Sequence, residues 1–340
     1  MKTLAKIKKL LITRLKMGNP FEKIATVIWI LSLFIANVIL TDQQFDRFIY
    51  YFFIAGAVLM VIFNESLRRA NEKITKQKLE IEFQKKLVEE KNKEITDSIN
   101  YALRIQTAIL PPARIVQEYL LNSFILYKPK DIVSGDFYWM ETIENDIYFA
   151  ASDCTGHGVP GALVSMVCHN ALNRTVREFR IAVPSEILNK ANELVIDNFV
   201  KGDSHMRDGM DISLCAYNPR TKILQWAGAN NPLWLIKNGE LIETRGDQQS
   251  IGNNENINPF SNHEFNLQSG DSIYIFSDGY SDQFDSNGEK KLTKKRFAEL
   301  ILSLQKLSMQ EQGMALDNFI KNHQKDTPQT DDILVMGIKI

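Results

Sequence analysis

The chain holds only three cysteines in 340 residues, Cys154, Cys168 and Cys215. Their spacing matches neither a zinc site nor a disulfide framework, so the sequence points to a reducing compartment. Histidine is scarce as well, five in all, which leaves little imidazole for a nitrogen-ligated metal. No sign of charge dominates: 40 Lys and Arg stand against 41 Asp and Glu, a formal net charge of -1. That balance excludes a global electrostatic pull toward nucleic acid and sends the search for partners to local asymmetry. What the chain does have is 44% hydrophobic and 24% charged residues, enough to bury a full core and to carry more than one module.

The asymmetry lies at the N-terminus. Residues 1–20 carry Lys2, Lys6, Lys8, Lys9, Arg14 and Lys16 and no acid. Two runs without a charge follow, Ile24 to Leu40 and Phe48 to Phe63, separated by a short link with Asp42, Asp46 and Arg47. Each is slightly shorter than the about 20 residues that cross a hydrocarbon core, so the flanks carry the reading. Basic residues precede the first run and follow the second at Arg68, Arg69 and Lys73, while the link is not basic, which places both ends in the cytoplasm. The expectation is a two-helix transmembrane hairpin over 21–64, in a multi-pass protein of the inner (cytoplasmic) membrane with two spans. A cleaved signal peptide and a buried helical pair are the alternatives, and a second apolar run so close behind the first speaks against the signal peptide. The link is too short to hold an extracellular ligand domain.

From Glu65 to Ile109 neither Pro nor Gly occurs, which predicts one long helix of about 68 Å at 1.5 Å per residue. Leu67, Ile74, Ile81, Val88, Ile95, Ala102 and Ile109 recur every seven residues. The companion seam of Asn71, Lys78, Lys85, Asn92, Ile99 and Gln106 is mostly polar. A coiled-coil linker over 65–112 and a homodimer through it are expected, against the alternative of a solvated connecting helix. Pro111 and Pro112 end the helix.

Beyond Ile115 the pattern changes to strands with few helices. Apolar runs at 146–152, 223–228, 232–243 with a turn at Asn238-Gly239, 271–277 and 333–340 read as strands. Residues 161–179, 184–200 and 293–307 read as helices. Strands close in sequence and joined by tight turns predict antiparallel sheets with helices outside, an α+β arrangement. Four acids stand at strand ends: Asp136 in VSGDFYW, Asp153 after IYFAAS, Asp278 after IYIFS, and Asp331 before Asp332 and the last strand. One such aspartate is an ordinary turn or helix cap. Four converging carboxylates repel one another unless a cation intervenes. An all-oxygen donor set suits Mg²⁺ or Mn²⁺, and two ions that share a water lower its pKa and orient it toward a phosphate.

The segments SGDFYWM, SDCTGHGVPGALVSM, GANNPLWL, DSIYIFSDGYSDQF and QTDDILVMGIKI, in this order, resemble the PPM-type metal-dependent serine/threonine protein phosphatases, in their bacterial sporulation-phosphatase (SpoIIE-like) branch. The resemblance runs from about Ser123 to Ile340. It implies two stacked antiparallel β-sheets flanked by helices, an α-β-β-α sandwich over 115–340, with a two-metal site at one edge. It further implies two Mn²⁺ or Mg²⁺ ions held by Asp136, Asp153, Asp278 and Asp331. Asp332 stays the alternative to Asp331, because the doubled acid leaves the register open, and the backbone carbonyl of Cys154 is a further ligand. Asp153 and Asp278 would then carry the catalysis, and Thr155, Gly156 and Gly158 would let backbone approach the ions. His157 is a candidate general acid for the departing oxygen, or a residue that only ties its loop. Asp208 and Asp211 are second-rank candidates. The sequence has no obvious arginine near the front of the domain of the kind that clamps phosphate in eukaryotic relatives.

The implied activity is hydrolysis of serine or threonine phosphate monoesters by a metal-activated water, without a phosphoenzyme. The implied partner is a phosphorylated regulator, of the STAS or anti-anti-sigma-like class; no nucleic acid is expected. A non-catalytic membrane sensor or scaffold that keeps the fold is the alternative, and four intact acids weigh against it. A membrane-bound nucleotide cyclase or histidine kinase shares the hairpin-and-stalk layout, but the Asn and Gly-rich ATP boxes of a kinase are missing.

Overall fold

A computed structural model describes residues 20–39, 42–200, 208–252 and 258–340. The basic residues Lys2, Lys6, Lys8, Lys9, Arg14 and Lys16, on which the orientation argument draws, lie outside the described residues. Contacts divide the chain into two units, one ending at Lys91 and one running from Asn92 to Ile340.

In the first unit, helix α1 (Pro20–Ile39) starts on a proline, whose fixed φ suits a first helical turn. The indole of Trp29 lies against Phe52 and Phe53 of the next helix, with ring centroids 4.6 and 5.3 Å apart. Gly56 makes room for that ring, because a Cβ there would collide with it. Helix α2 (Asp42–Ile109) is uninterrupted over 68 residues. The second apolar run and the linker, expected as successive segments meeting at 64/65, are therefore parts of one helix. The junction gives the backbone no reason to break, and Glu65 pairs with Arg68 at 2.8 Å and Arg69 at 3.1 Å on the following turn. Among the described residues one helix, from Gln43 onward, is long and apolar enough to cross a membrane. Val58, Leu59, Val61 and Ile62 are exposed on it, as are Leu67, Ile74, Ile81 and Val88 of the seven-residue stripe.

In the second unit, α2 stops before Pro111 and a short helix α3 (Ala113–Tyr119) follows. Strands β1 (Ser123–Lys128), β2 (Phe137–Ile143), β3 (Asp146–Cys154), β4 (Met210–Asn218), β5 (Ile223–Ala229), β6 (Leu233–Lys237), β7 (Glu240–Thr244), β8 (His263–Asn266), β9 (Ser272–Phe276) and β10 (Ile333–Lys339) form two sheets. Their orders are β1-β10-β9-β6-β7 and β2-β3-β4-β5-β8, with antiparallel neighbours throughout. Helices α4 (Gly158–Arg177) and α5 (Pro184–Val200) pack on the second sheet. Helices α7 (Lys294–Ser303) and α8 (Met309–Gln324) pack on the first, and a single turn, α6 (Gly279–Asp282), follows β9.

This is the expected sandwich, and the strand sequences show why it forms. Along β3, Ile147, Phe149 and Ala151 face the core between the sheets, while Tyr148 and Ala150 face the layer under α4 and α5. Both faces are buried, so the strand reads as a continuous apolar run rather than an alternating one. The same holds for β9 and β10, whose Tyr274, Phe276, Ile333 and Val335 lie under α7 and α8. There Trp234, Phe276, Tyr280 and Phe297 form one aromatic cluster, with Trp234–Phe276 and Tyr280–Phe297 centroids 4.4 Å apart. The β6–β7 turn has Asn238 at φ 52° and Gly239 at φ 81°, the two positive values that a tight hairpin needs.

Candidate active site

Antiparallel pairing brings the four strand ends to one edge. In the second sheet Phe137 stands opposite Ser152, so Asp136, just before β2, meets Asp153, near the end of β3. In the first sheet Val335 stands opposite Phe276, so Asp278, just after β9, meets Asp331 and Asp332, just before β10. Ser277 locks that pair of ends: its amide donates to the Leu334 carbonyl at 3.0 Å and its hydroxyl accepts from the Leu334 amide at 3.1 Å. Gly279 allows the close approach, since a Cβ there would stand 1.9 Å from the Asp332 carbonyl oxygen.

The carboxylates are close enough to oppose one another's ionisation. Asp136 is 2% exposed, and burial first, then the charge of Asp153, pushes its carboxyl well above the usual range against a lowering hydrogen bond from Ser277. Asp153 is pushed up to about 8, by burial first and then by Asp278, Asp331 and Asp211. Asp278 is raised by burial, Asp282 and Asp331, with Lys294 and Lys291 pulling the other way.

The two adjacent acids do different things. Asp332 is 2% exposed, and its two oxygens accept from the backbone amides of Lys130 and Gly135, each at 2.7 Å. It thereby ties the segment before β2 to the start of β10. The Asp331 carboxylate accepts from the amide of Asp332 at 2.8 Å, and its backbone carbonyl from Gln329 Nε2 at 2.8 Å; its charge acts on Asp136, Asp153 and Asp278 alike. Asp331 therefore acts on all three of the other carboxylates, while Asp332 acts on Asp136 among them, and there ahead of Asp331.

The donors decide whether a metal fits here. Among the described residues no three His, Cys, Asp or Glu side chains close into a ligand cage; the aspartates form an open and mutually repelling set. Asp136 Oδ2 is buried and has no hydrogen-bond partner, an unusual state for a carboxylate oxygen. An all-oxygen set with an orphaned buried donor fits a hard divalent cation. The backbone of the Asp153 loop comes close as well: a Cβ on Gly135 would stand 2.3 Å from the Gly156 carbonyl oxygen and 3.2 Å from that of Cys154. Gly156 and Gly158 have φ of 84° and 63°, values that favour glycine.

The remaining candidates sit around this set. His157 precedes the first turn of α4, and its Nδ1 lies 2.7 Å from Asp131 Oδ2 with both side chains about half exposed. Asp211 stands opposite Asp153 in the ladder, and its Oδ1 accepts from Asn230 Nδ2 at 2.9 Å and Ser250 Oγ at 2.6 Å. Asp208 lies just before β4, with its carbonyl against Gly252. All three cysteines are buried, and burial pushes the Cys154 and Cys215 thiols up, which suits none of them to act as a thiolate nucleophile.

Two residues that support the site escaped the reading of the sequence. Asp131, the partner of His157, lies in a loop with no pattern to mark it. Gln106 is 2% exposed near the end of α2. Its Nε2 donates to the Ser134 carbonyl at 2.6 Å and to Ser165 Oγ at 3.2 Å, and its Oε1 accepts from the Ser134 amide at 3.1 Å. Its signal was the polar seam of the linker, where it stands among residues with no evident partner.

Residues 144–340 match the family described as Stage II sporulation protein E (SpoIIE). Over 200 residues the chain is 26% identical to the phosphoserine phosphatase RsbU of Bacillus subtilis (strain 168), a match that spans 57% of this chain and 56% of that relative. Among solved structures it is similar to the SiaA-PP2C domain of Pseudomonas aeruginosa, with a TM-score of 0.67 at 31% identity over 73% of this chain and 98% of that one. It shares its fold with the PP2C phosphatase domain of SpoIIE from Bacillus subtilis, with a TM-score of 0.51 at 15% identity over 64% of this chain and 63% of that one.

Proposed function

Because this chain belongs to the SpoIIE family and has the PPM phosphatase fold, we propose that it is a membrane-anchored, metal-dependent phosphatase of phosphoserine or phosphothreonine in a cytoplasmic signalling protein. The observation that carries the reading is the edge where Asp136, Asp153, Asp278 and Asp331 converge around a buried, partnerless Asp136 oxygen. These four side chains and the Cys154 carbonyl would hold two Mn²⁺ or Mg²⁺ ions. Bound there, the ions would supply neutralisation of the carboxylates and activation of a water toward phosphorus. The chain's own part is to hold its donors on rigid strand ends, to let backbone in through Gly156 and Gly158, and to keep its thiols out of reach. Similarity to a phosphoserine phosphatase supports the substrate class, and the partner is a phosphorylated STAS-like regulator. Two spans, α1 and the start of α2, anchor the protein in the cytoplasmic membrane, and the exposed stripe of α2 pairs with that of a second copy.

The test is hydrolysis of p-nitrophenyl phosphate and of a phosphoserine peptide by the full chain in detergent, with Mn²⁺, with EDTA, and with Asp153→Asn or Asp278→Asn. Metal-dependent turnover lost in both variants is expected. Folded protein that neither binds Mn²⁺ nor turns over either substrate would replace this reading with the scaffold.

A further inference from the structure

An open edge of carboxylates is a poor landing place for a phosphoprotein, and the sequence has no obvious phosphate-clamping arginine near the front of the domain to offset it. The strongest positive feature of the second unit lies next to that edge. Lys290, Lys291, Lys294, Lys295 and Arg296 fall within seven residues that contain no acid, and all five are exposed. Leu292 is the buried anchor of the segment, at 1% exposure.

Such a run is often only a solvated surface, and three observations separate this one from that. First, its charge is not consumed. Elsewhere in this unit cations pair readily, as in Lys128–Asp317 at 2.7 Å, Arg177–Glu141 at 2.6 Å and Lys190–Glu193 at 2.7 Å. Here Lys291 pairs with Asp282 at 2.6 Å, whereas Lys290, Lys294, Lys295 and Arg296 form no ion pair among the described residues.

Second, the segment is tied to the chain that leaves the site. The Leu292 amide donates to the Gln283 carbonyl at 3.0 Å and the Thr293 amide to the Ser281 carbonyl at 2.8 Å, within a few residues of Asp278. The charges of Lys294 and Lys291 are felt at that carboxylate.

Third, the backbone of the segment is anchored at its turn and at the helix that follows. Thr293 holds φ 74°, a conformation that a β-branched residue adopts only under constraint, and its hydroxyl caps α7 by accepting from the Arg296 amide. Phe297 then plugs the helix into the aromatic cluster with Trp234 and Tyr280. The constrained backbone of this turn keeps the basic segment beside the acidic site.

We propose that Lys290–Arg296 is a docking surface for an acidic stretch of the phosphoprotein substrate, next to the phosphorylated residue. Charge complementarity selects that occupant, since unpaired cations at the mouth of the site attract what the carboxylates repel. The inference rests on the phosphatase reading for the adjacent site and adds the substrate's local charge to it.

The experiment compares the full chain in detergent with Lys290→Ala/Lys295→Ala and with Lys290→Glu/Lys295→Glu. Substrates are p-nitrophenyl phosphate, a phosphoserine peptide flanked by acids, and the same peptide flanked by neutral residues. We expect kcat/KM for the acidic peptide to fall about tenfold in the Glu variant, through KM, and less in the Ala variant. Turnover of p-nitrophenyl phosphate and the neutral peptide stays within about twofold. Added salt erodes the wild-type preference for the acidic peptide, affects the Ala variant less, and partly restores the Glu variant by screening its repulsion. Equal losses on all three substrates, or none on any, would overturn the docking surface. So would loss of binding to vesicles of anionic lipid with peptide kinetics unchanged, which would assign the segment to the membrane. Fluorescence anisotropy of the labelled acidic peptide separates this idea from the reading beneath it. Binding that the Glu variant abolishes in a protein without turnover supports docking and counts against the phosphatase, and binding unaffected by the variant overturns docking alone.

Discussion

Gln106 brackets the Ser134 peptide from both sides, accepting from its amide at 3.1 Å and donating to its carbonyl at 2.6 Å. Ser134 stands two residues before Asp136, so the end of α2 is joined directly to the segment that presents a candidate ligand. The third bond of the same side chain, to Ser165 of α4 at 3.2 Å, adds the helix that follows Asp153. One carboxamide thus holds the approaches to two of the four aspartates. Gln106→Ala leaves the Ser134 amide and carbonyl buried without these partners and should destabilise the second unit by about 1–3 kcal/mol. It should also weaken Mn²⁺ binding measured by calorimetry, at a temperature where the variant is fully folded. Unchanged Mn²⁺ affinity would reduce Gln106 to a packing residue.

Asp331 and Asp332 are expected to separate cleanly under mutation. Asp331→Asn should leave the metal-free protein as stable as the wild type, or more so, because it removes a charge that opposes Asp136 and Asp153. Its cost should appear in Mn²⁺ affinity. Asp332→Ala strips the acceptor from two backbone amides and should cost about 3 kcal/mol of stability by denaturant titration. The reverse assignment, with Mn²⁺ affinity lost only at 332, would show that the register has been read one residue off.

The pH dependence of stability should run downward in the absence of metal. The folded protein holds the Asp153 proton up to about 8, whereas an unfolded aspartate releases it near about 4. The folded state therefore binds more protons between those values, and stability falls as pH rises through that window. A divalent cation takes the place of the proton, so its stabilising effect grows over the same range. Melting temperatures at pH 5.5 and 8 with EDTA and with Mn²⁺ check both signs; a Mn²⁺ gain equal at the two pH values would contradict the carboxylate set as the binding site.

His157 is expected to behave as a loop tie. Its Nδ1 is engaged by Asp131 at 2.7 Å in a half-exposed pair, a kind of contact worth about 1 kcal/mol or less. His157→Ala and Asp131→Asn should therefore lower turnover of p-nitrophenyl phosphate and of a phosphoserine peptide by the same modest factor. A loss confined to the peptide, whose poor leaving group needs a proton that nitrophenolate does not, would assign His157 the acid role instead.

Much of the second unit was legible because its strands are buried on both faces, so β3, β9 and β10 stand out as apolar runs without alternation. The Asn238-Gly239 hairpin and the stop at Pro111 follow from backbone chemistry alone. Other elements were less visible. Helix α8 was not expected, since Gly313 interrupts its pattern, although the Ser308–Glu311 capping box marks its start; that glycine lies against the Phe124 ring, where a Cβ would have 3.0 Å. Strand β8 spans only His263–Asn266 at a sheet edge, with alternate residues exposed, too short and polar to read locally.

The sequence by itself determined which residues could be donors: four acids at strand ends, few histidines, no paired cysteines, and an apolar N-terminal region that continues into a helix without Pro or Gly. Local chemistry is enough for that, because strand ends, turns and helix stops are written within a few residues of one another. Only the tertiary structure decided what those residues face. Asp136 and Asp332 lie far apart in the chain, yet Asp332 ties the segment leading to Asp136 because antiparallel pairing returns β10 beside β1 and brings β2 and β9 to a common edge. No local signal distinguishes Asp331 from Asp332, and none reveals that Gln106 holds Ser134 or that Lys294 lies near Asp278. Those relationships depend on which strands pair and on how two sheets stack, which is decided by burial summed over the whole domain.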